Sequence, residues 1–298
     1  MNMTHIKNKF TFSTWFAGFF EGDGSFNINT KNSRCSLVIN QKDLKVLIFI
    51  KNELKVGNIK EYNGYFRWVV SKKEELYKVI FLLNGSLLLN KTNNKLKKWI
   101  YNYNVYYNLE FEDKYYIFYK GPSVFDLNNS WLAGFIDAEG CFNVRIVDLK
   151  KKKLEILHLI PEFENEDCLK LLSLSSDSLL KKIKTINFKT PISFRIRLRF
   201  LLKQKDDQLI LHEIQNSFFG SVREIKNSNS VFEYVLDSNF RQINIINYLD
   251  SHPLKSIKHI NFLKFKNLYF QIQRKEHLNI FNIKRALKIL SYSKLNKR

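Results

Sequence analysis

Two acidic residues, Asp23 and Glu139, stand at equivalent places in a repeated segment, and each is followed directly by a glycine. The run 15–28 reads WFAGFFEGDGSFNI and the run 131–144 reads WLAGFIDAEGCFNV, with half of the positions identical. Two carboxylates brought side by side repel one another unless something positive binds between them. Hard divalent cations take such oxygen ligands, and phosphate oxygens complete their shell. Metal-assisted phosphodiester hydrolysis uses this arrangement to activate water and to stabilise the leaving oxygen. An acid at a helix C-terminus opposes the helix dipole. Its appearance twice at the same unfavourable place therefore points to chemistry rather than stability.

For the two acids to meet, the elements carrying them must pack closely. Short helices are expected at Thr14–Glu21 and Ser130–Asp137. Gly18 and Gly22, with Ala17 beside them, and Gly134 and Ala138, with Ala133, give each helix a face of small residues on which two backbones approach. Phe16, Phe19 and Phe20 are left to enter the core. Two such helices related by a pseudo-twofold axis would deliver Asp23 and Glu139 side by side.

The repeat continues beyond the helices. Ile39-Asn40-Gln41-Lys42-Asp43 is echoed by Leu202-Lys203-Gln204-Lys205-Asp206, Gly57 by Gly220 and Lys91 by Lys258, all in order. Each half reads as α-β-β-α-β-β-α. Strands are expected from Ser25, near Cys35–Asn40 and at Gly57–Tyr62 with Phe66–Val70. Their counterparts begin at Phe142 and run at Ser193–Leu202 and at Gly220–Ile225 with Val231–Leu236. Helices are expected at Asp43–Leu54, Lys73–Leu83 and Lys91–Tyr103, then Asp207–Phe218, Arg241–Leu249 and Ile257–Ile272. The fold class is α+β: two pseudo-twofold-related halves, each with an antiparallel sheet apolar on one side and polar on the other. The halves are drawn at 1–108 and 129–298, joined by 109–128, with an insertion at about 148–190 in the second.

FAGFFEGDG at 16–24 and LAGFIDAEG at 132–140 resemble the LAGLIDADG motif, and the chain as a whole resembles the double-motif homing endonucleases encoded in organellar introns. The resemblance implies that Asp23 and Glu139 bind the catalytic metal, with the backbone carbonyls of Gly22 and Ala138 in its shell. It implies that Gln41 and Gln204 order water, and that Lys91 and Lys258 polarise the scissile phosphate, with Lys95 and Lys255 as neighbouring competitors. It further implies two or three Mg²⁺ ions shared between the acids, a monomer cutting across the minor groove to leave short 3′ overhangs, and sheets forming a saddle in the major groove.

Charge agrees with such a partner. The 298 residues carry 49 Lys and Arg against 28 Asp and Glu, a net +21. This excess repels itself unless an anion relieves it, and neutralised phosphates release counterions. No stretch is apolar enough to span a bilayer, and neither a membrane partner nor a secretory signal is expected. Three scattered cysteines and six histidines without ligand spacing argue against a disulfide framework or structural zinc. Abundant Lys, Asn, Ile and Phe suggest an AT-rich gene, such as an organelle or an AT-rich bacterium carries; with the resemblance, a mitochondrion or, alternatively, a chloroplast is expected.

The polar strand faces supply candidate base contacts. Asn27, Asn29, Lys31, Arg34, Ser36 and Arg67 fall to one half-site. Asn143, Arg145, Arg195, Arg197, Arg199 and Arg223 fall to the other. Arg195, Arg197 and Arg199 alternate with apolar residues, and three like charges on one face repel without an anionic partner; Arg also suits guanine. Double-stranded DNA is the expected partner. Two rival readings are an RNA maturase acting on its host intron, with Lys150–Lys153 or the tail Lys284–Arg298 as basic surface, and a DNA-binding relative without catalysis.

Overall fold

The computed structural model describes residues 3–29, 31–148 and 194–275. Its first half runs α1 (Met3–Asp23), β1 (Gly24–Ile28), β2 (Cys35–Gln41), α2 (Leu44–Leu54), β3 (Asn58–Tyr62), β4 (Tyr65–Val70), α3 (Lys73–Leu83) and α4 (Asn90–Tyr106). Its second runs α5 (Trp131–Glu139), β5 (Cys141–Asp148), β6 (Phe194–Lys205), α6 (Leu209–Phe218), β7 (Ser221–Glu224), β8 (Val231–Leu236), α7 (Gln242–Ser251) and α8 (Lys258–Gln273). Two four-stranded sheets result, ordered β1-β2-β4-β3 and β5-β6-β8-β7. Pairing is antiparallel throughout the first sheet and between β6, β8 and β7. Each half ends in two helices, as the segment reading expects, one more than the αββαββα formula writes.

Packing divides the chain into two units, one of Met1–Asn143 with Leu198–Tyr269 and one of the remainder. Both motif helices, the two acids and Lys258 lie in the first. The expected insertion core, Lys150–Lys153 and the tail Lys284–Arg298 fall outside the described residues, as does Cys168.

Alternation explains the sheets. In β1, Ser25 and Asn27 are exposed while Phe26 and Ile28 turn inward. Phe26 meets Phe20 with ring centroids 4.9 Å apart, and Phe16 meets Trp68 edge-on at 6.1 Å. The Trp99 indole, buried between α4 and the sheet, donates to the carbonyls of Asn27 and Ser36 at 3.2 and 3.3 Å. In the second half Phe142 takes the same place, 5.3 Å from both Phe200 and Phe265. Burial of each such ring contributes about 1.5–3 kcal/mol, so the two sheets are held against their helices by aromatic cores of matching design.

The motif helices depart from expectation at their ends. Both reach the acid itself instead of stopping before it, and α1 begins well before Thr14. The reason is local: the Gly140 N–H donates back to the Ile136 carbonyl at 2.8 Å, so the helical turn closes only after Glu139.

Candidate active site and nucleic-acid interface

Asp23 is the last residue of α1 and Glu139 the last of α5. The helices touch backbone to backbone. A Cβ added to Gly18 would lie 1.9 Å from the Trp131 carbonyl oxygen, and one on Gly134 would lie 1.8 Å from that of Trp15. No side chain fits in either place. At the lower end a Cβ on Gly22 would stand 2.3 Å from Ala138 Cβ and 3.1 Å from Glu139 Cγ. The expected meeting of the two helix ends is therefore present.

Burial pushes Asp23 up to about 6, against the Lys258 charge and a Gln41 hydrogen bond. Burial, and after it the charge of Asp23, pushes Glu139 up to about 7, again against Lys258. The two groups are short of positive charge. The two carboxylates are oxygen donors of the kind a hard divalent cation takes, while the Ala138 carbonyl accepts a hydrogen bond from the Lys258 ammonium. Among the described residues no group of three His, Cys, Asp or Glu forms a metal cluster. A cation here would draw its other ligands from water or phosphate.

The corner nearest Lys258 is tied by hydrogen bonds. Gln41 Nε2, at the end of β2, donates to Asp23 Oδ2. Lys258 Nζ donates to the Ala138 carbonyl at 2.5 Å and to that of Ile136 at 3.4 Å. Burial lowers the Lys258 ammonium, opposed by Asp23, Asp137 and Glu139. Its competitor Lys255 is directed elsewhere, with Nζ 6.0 Å from the Phe49 ring centroid. The other corner differs. Lys91 pairs with Asp206 at 3.0 Å, both half exposed. Lys91, Lys95, Lys203, Gln204, Lys205 and Glu139 line one open cavity. Gln204 and Glu139 thus line the same cavity, and so do Lys91 and its expected competitor Lys95.

Four residues that the sequence reading passed over hold these corners. Trp15 Nε1 donates to Asp137 Oδ2 at 2.8 Å, and Trp131 Nε1 donates to Glu21 Oε2 at 2.8 Å, both buried. Asp137 also accepts the N–H groups of Lys255 and Ser256 at 2.7 and 3.1 Å. Glu21 accepts those of Leu88 and Leu89 at 2.9 and 2.7 Å. Each clamp ties a motif helix to the turn just before the helix that carries Lys258 or Lys91. Burial nonetheless pushes Glu21 up to about 7 and raises Asp137. The signal was available, because Trp15 with Glu21 repeats as Trp131 with Asp137.

On the first sheet's outer face, Asn27 and Asn29 are exposed, and so are Lys31 and Arg34 in the following turn; Ser36 is half buried. The Asn29 carboxamide oxygen accepts the Lys31 N–H at 2.9 Å and so shapes that turn. Arg67 donates through Nε to Asn40 Oδ1 at 2.8 Å and lies over the Tyr62 ring at 4.8 Å. Asn40, Lys60 and Tyr62 belong to this face and were not singled out, although the period of β3 places Lys60 opposite Arg67. In the second sheet Asn143 and Arg197 are half buried, while the side chains of Arg145 and Arg195 lie outside the described residues. Arg199 lies 3.8 Å from Asp237, and Arg223 pairs with Glu233 at 2.6 Å. The repulsion expected along β6 is therefore met in part by acids within the protein. Cross-strand partners of this kind are set by register, which alternation alone does not reveal.

The arrangement has known counterparts. The LAGLIDADG meganuclease I-AabMI, solved bound to uncleaved DNA, shares the fold with a TM-score of 0.66 at 20% identity, over 93% of this chain and 97% of that one. The profile described as LAGLIDADG endonuclease matches residues 16–119, 132–190 and 179–269, and the chain belongs to that family. It is 26% identical over 274 residues to the probable intron-encoded endonuclease 4 of Neurospora crassa, covering 89% of this chain but only 41% of that protein. It is 25% identical over 296 residues to the cox1 intron-2 37.2 kDa protein of Schizosaccharomyces pombe, covering 97% and 76%.

Proposed function

We propose that the chain is a monomeric, Mg²⁺-dependent endonuclease that cuts both strands of a long, imperfectly palindromic DNA site, as an intron-homing activity in a mitochondrion. One observation carries this reading: two half-buried carboxylates, one from each half, end the two helices of a backbone-tight pair. Family membership, the net charge of +21 and the polar sheet faces support it. The halves 1–108 and 129–298, joined by 109–128, would each address one half-site.

A divalent cation held by Asp23, Glu139 and the carbonyls of Gly22 and Ala138 would supply an activated water and neutralise charge on the leaving oxygen. The protein's own groups do the rest. Gln41 and Gln204 orient the carboxylates and the water beside them. Lys258 holds a positive charge against the acid pair, where low dielectric strengthens it. Lys91, Lys95, Lys203 and Lys205 attract the phosphate backbone to the second corner. The first sheet's Asn27, Asn29, Lys31, Arg34, Ser36 and Arg67, and the second's Asn143, Arg145, Arg195, Arg197, Arg199 and Arg223, would contact the duplex.

The test is to incubate the purified chain with intronless exon-junction DNA and Mg²⁺, alongside Asp23→Asn. Defined double-strand cuts that the variant loses support the proposal. Specific binding of intron RNA with no cutting would instead establish the maturase reading.

A further inference from the structure

One row of the second sheet's outer face is unlike its counterpart. The register places Lys203, Glu233 and Arg223 side by side across β6, β8 and β7. The matching row of the first sheet is Asn40, Arg67 and Lys60. An acid thus stands in the middle of this row, where the first sheet has a cation. The Glu233 side chain is only 10% exposed, whereas that of Arg223 is 59% exposed. Arg223 donates to the single oxygen Oε2 through Nε at 3.1 Å and through Nη2 at 2.6 Å. Lys203 Nζ lies 3.8 Å from the other oxygen, Oε1.

Stability explains this pairing poorly, because both cations, Arg223 and Lys203, are more than half exposed to solvent, which screens their attraction to Glu233. An unshielded carboxylate facing phosphates would weaken binding. Geometry gives a better account. A guanidinium has five N–H donors in a rigid fork. Glu233 occupies the Nε edge and leaves Nη1 with the second Nη2 hydrogen directed away from it. That remaining pair matches the O6 and N7 acceptors of guanine in the major groove. Arg67 is held by the same edge, through Nε to Asn40 Oδ1 at 2.8 Å. Arg67 and Arg223 are therefore each held through Nε from a neighbouring strand, one by an amide and the other by a carboxylate.

We infer that Glu233 is a specificity-determining positioning residue, fixing Arg223 to read one guanine of the second half-site. This inference rests on the duplex-binding reading above. Fixing the side chain beforehand removes the ordering cost that a free arginine would meet on binding.

The experiment selects bound sequences from a library of randomised duplexes without divalent metal, using the full chain, Glu233→Gln, Arg223→Ala, the double variant and Arg67→Ala. Thermal melts of each variant confirm folding. Wild type is expected to prefer guanine at one position of one half-site. Glu233→Gln and Arg223→Ala should relax that same position by roughly five- to hundredfold, with the double variant no worse than Arg223→Ala. Arg67→Ala should relax a position in the other half-site. An unchanged Glu233→Gln profile, or a change at a position that Arg223→Ala leaves alone, overturns the inference while leaving duplex binding intact. A wild-type chain that selects no sequence overturns the duplex reading and the inference with it.

Discussion

The two corners of the site share a skeleton but not an electrostatic state. At one, Lys258 is drawn in against the Ala138 carbonyl and Gln41 holds Asp23. At the other, Lys91 is tied outward to Asp206, and several lysines line an open cavity with Glu139. The helix pair above them is nearly symmetrical, with Gly18 against Trp131 mirrored by Gly134 against Trp15. Backbone contact admits one residue type, so duplicated halves keep it. Half-exposed corners tolerate many arrangements, so the copies have room to diverge. Symmetry is retained where packing leaves no choice.

The largest expected effect tests whether the corners share one acid pair. Asp23→Asn should lower cutting of both strands, on the order of a thousandfold, because metal ligation supplies several kcal/mol at the transition state. A gel that follows each labelled strand would expose any corner that works independently. Next come the glycines. Gly18→Ala and Gly134→Ala should each destabilise the fold by about 3 kcal/mol, at the upper end for overpacking, since the new methyl meets rigid backbone. Denaturant melts that gave unequal losses would break the symmetry of the helix pair.

The lysines should divide the corners. Lys258→Ala is expected to slow one strand about a hundredfold, and Lys91→Ala less than tenfold, because neighbouring lysines share its role. Accumulation of nicked plasmid by the first variant checks this, and equal effects would mean that the corners converge once DNA is bound. Trp15→Phe, which leaves one carboxylate oxygen of Asp137 short of a donor, should cost about 1–3 kcal/mol. Trp131→Phe should cost the same through Glu21, as thermal melts would report.

The smallest effect is on pH dependence. Glu21, Asp23 and Glu139 have folded values of about 7, 6 and 7, above their ordinary 4.5, 3.8 and 4.5. Their protonated forms favour the folded state, so the stability they contribute is full at low pH and is lost as pH rises through about 6 to 7. The metal-free protein should melt a few degrees lower near pH 8 than near pH 5.5. Divalent cation should restore more at the higher pH, and Asp23→Asn should flatten the trend.

Much of this was legible in the residues. The repeat with Asp23 and Glu139, the strand alternation and the order of helices all follow from local pattern, and the element boundaries lie within a few residues of expectation outside α1. Gln41 was placed by resemblance, and in the structure its carboxamide donates to Asp23. Less legible were Glu21 and Asp137, whose partners are indoles and backbone N–H groups from elements distant in sequence. Arg199 and Arg223 looked unpaired along their strands, but register set Asp237 and Glu233 beside them.

The sequence alone determined that two homologous α+β halves exist and that each offers one acid at a helix end, because periodicity and repetition are local properties. Only the tertiary structure decided which lysine meets the acids, which arginines are held and by what, and that the helices touch through backbone. Those outcomes depend on distances between segments far apart in the chain, which arise only when the apolar faces are buried together.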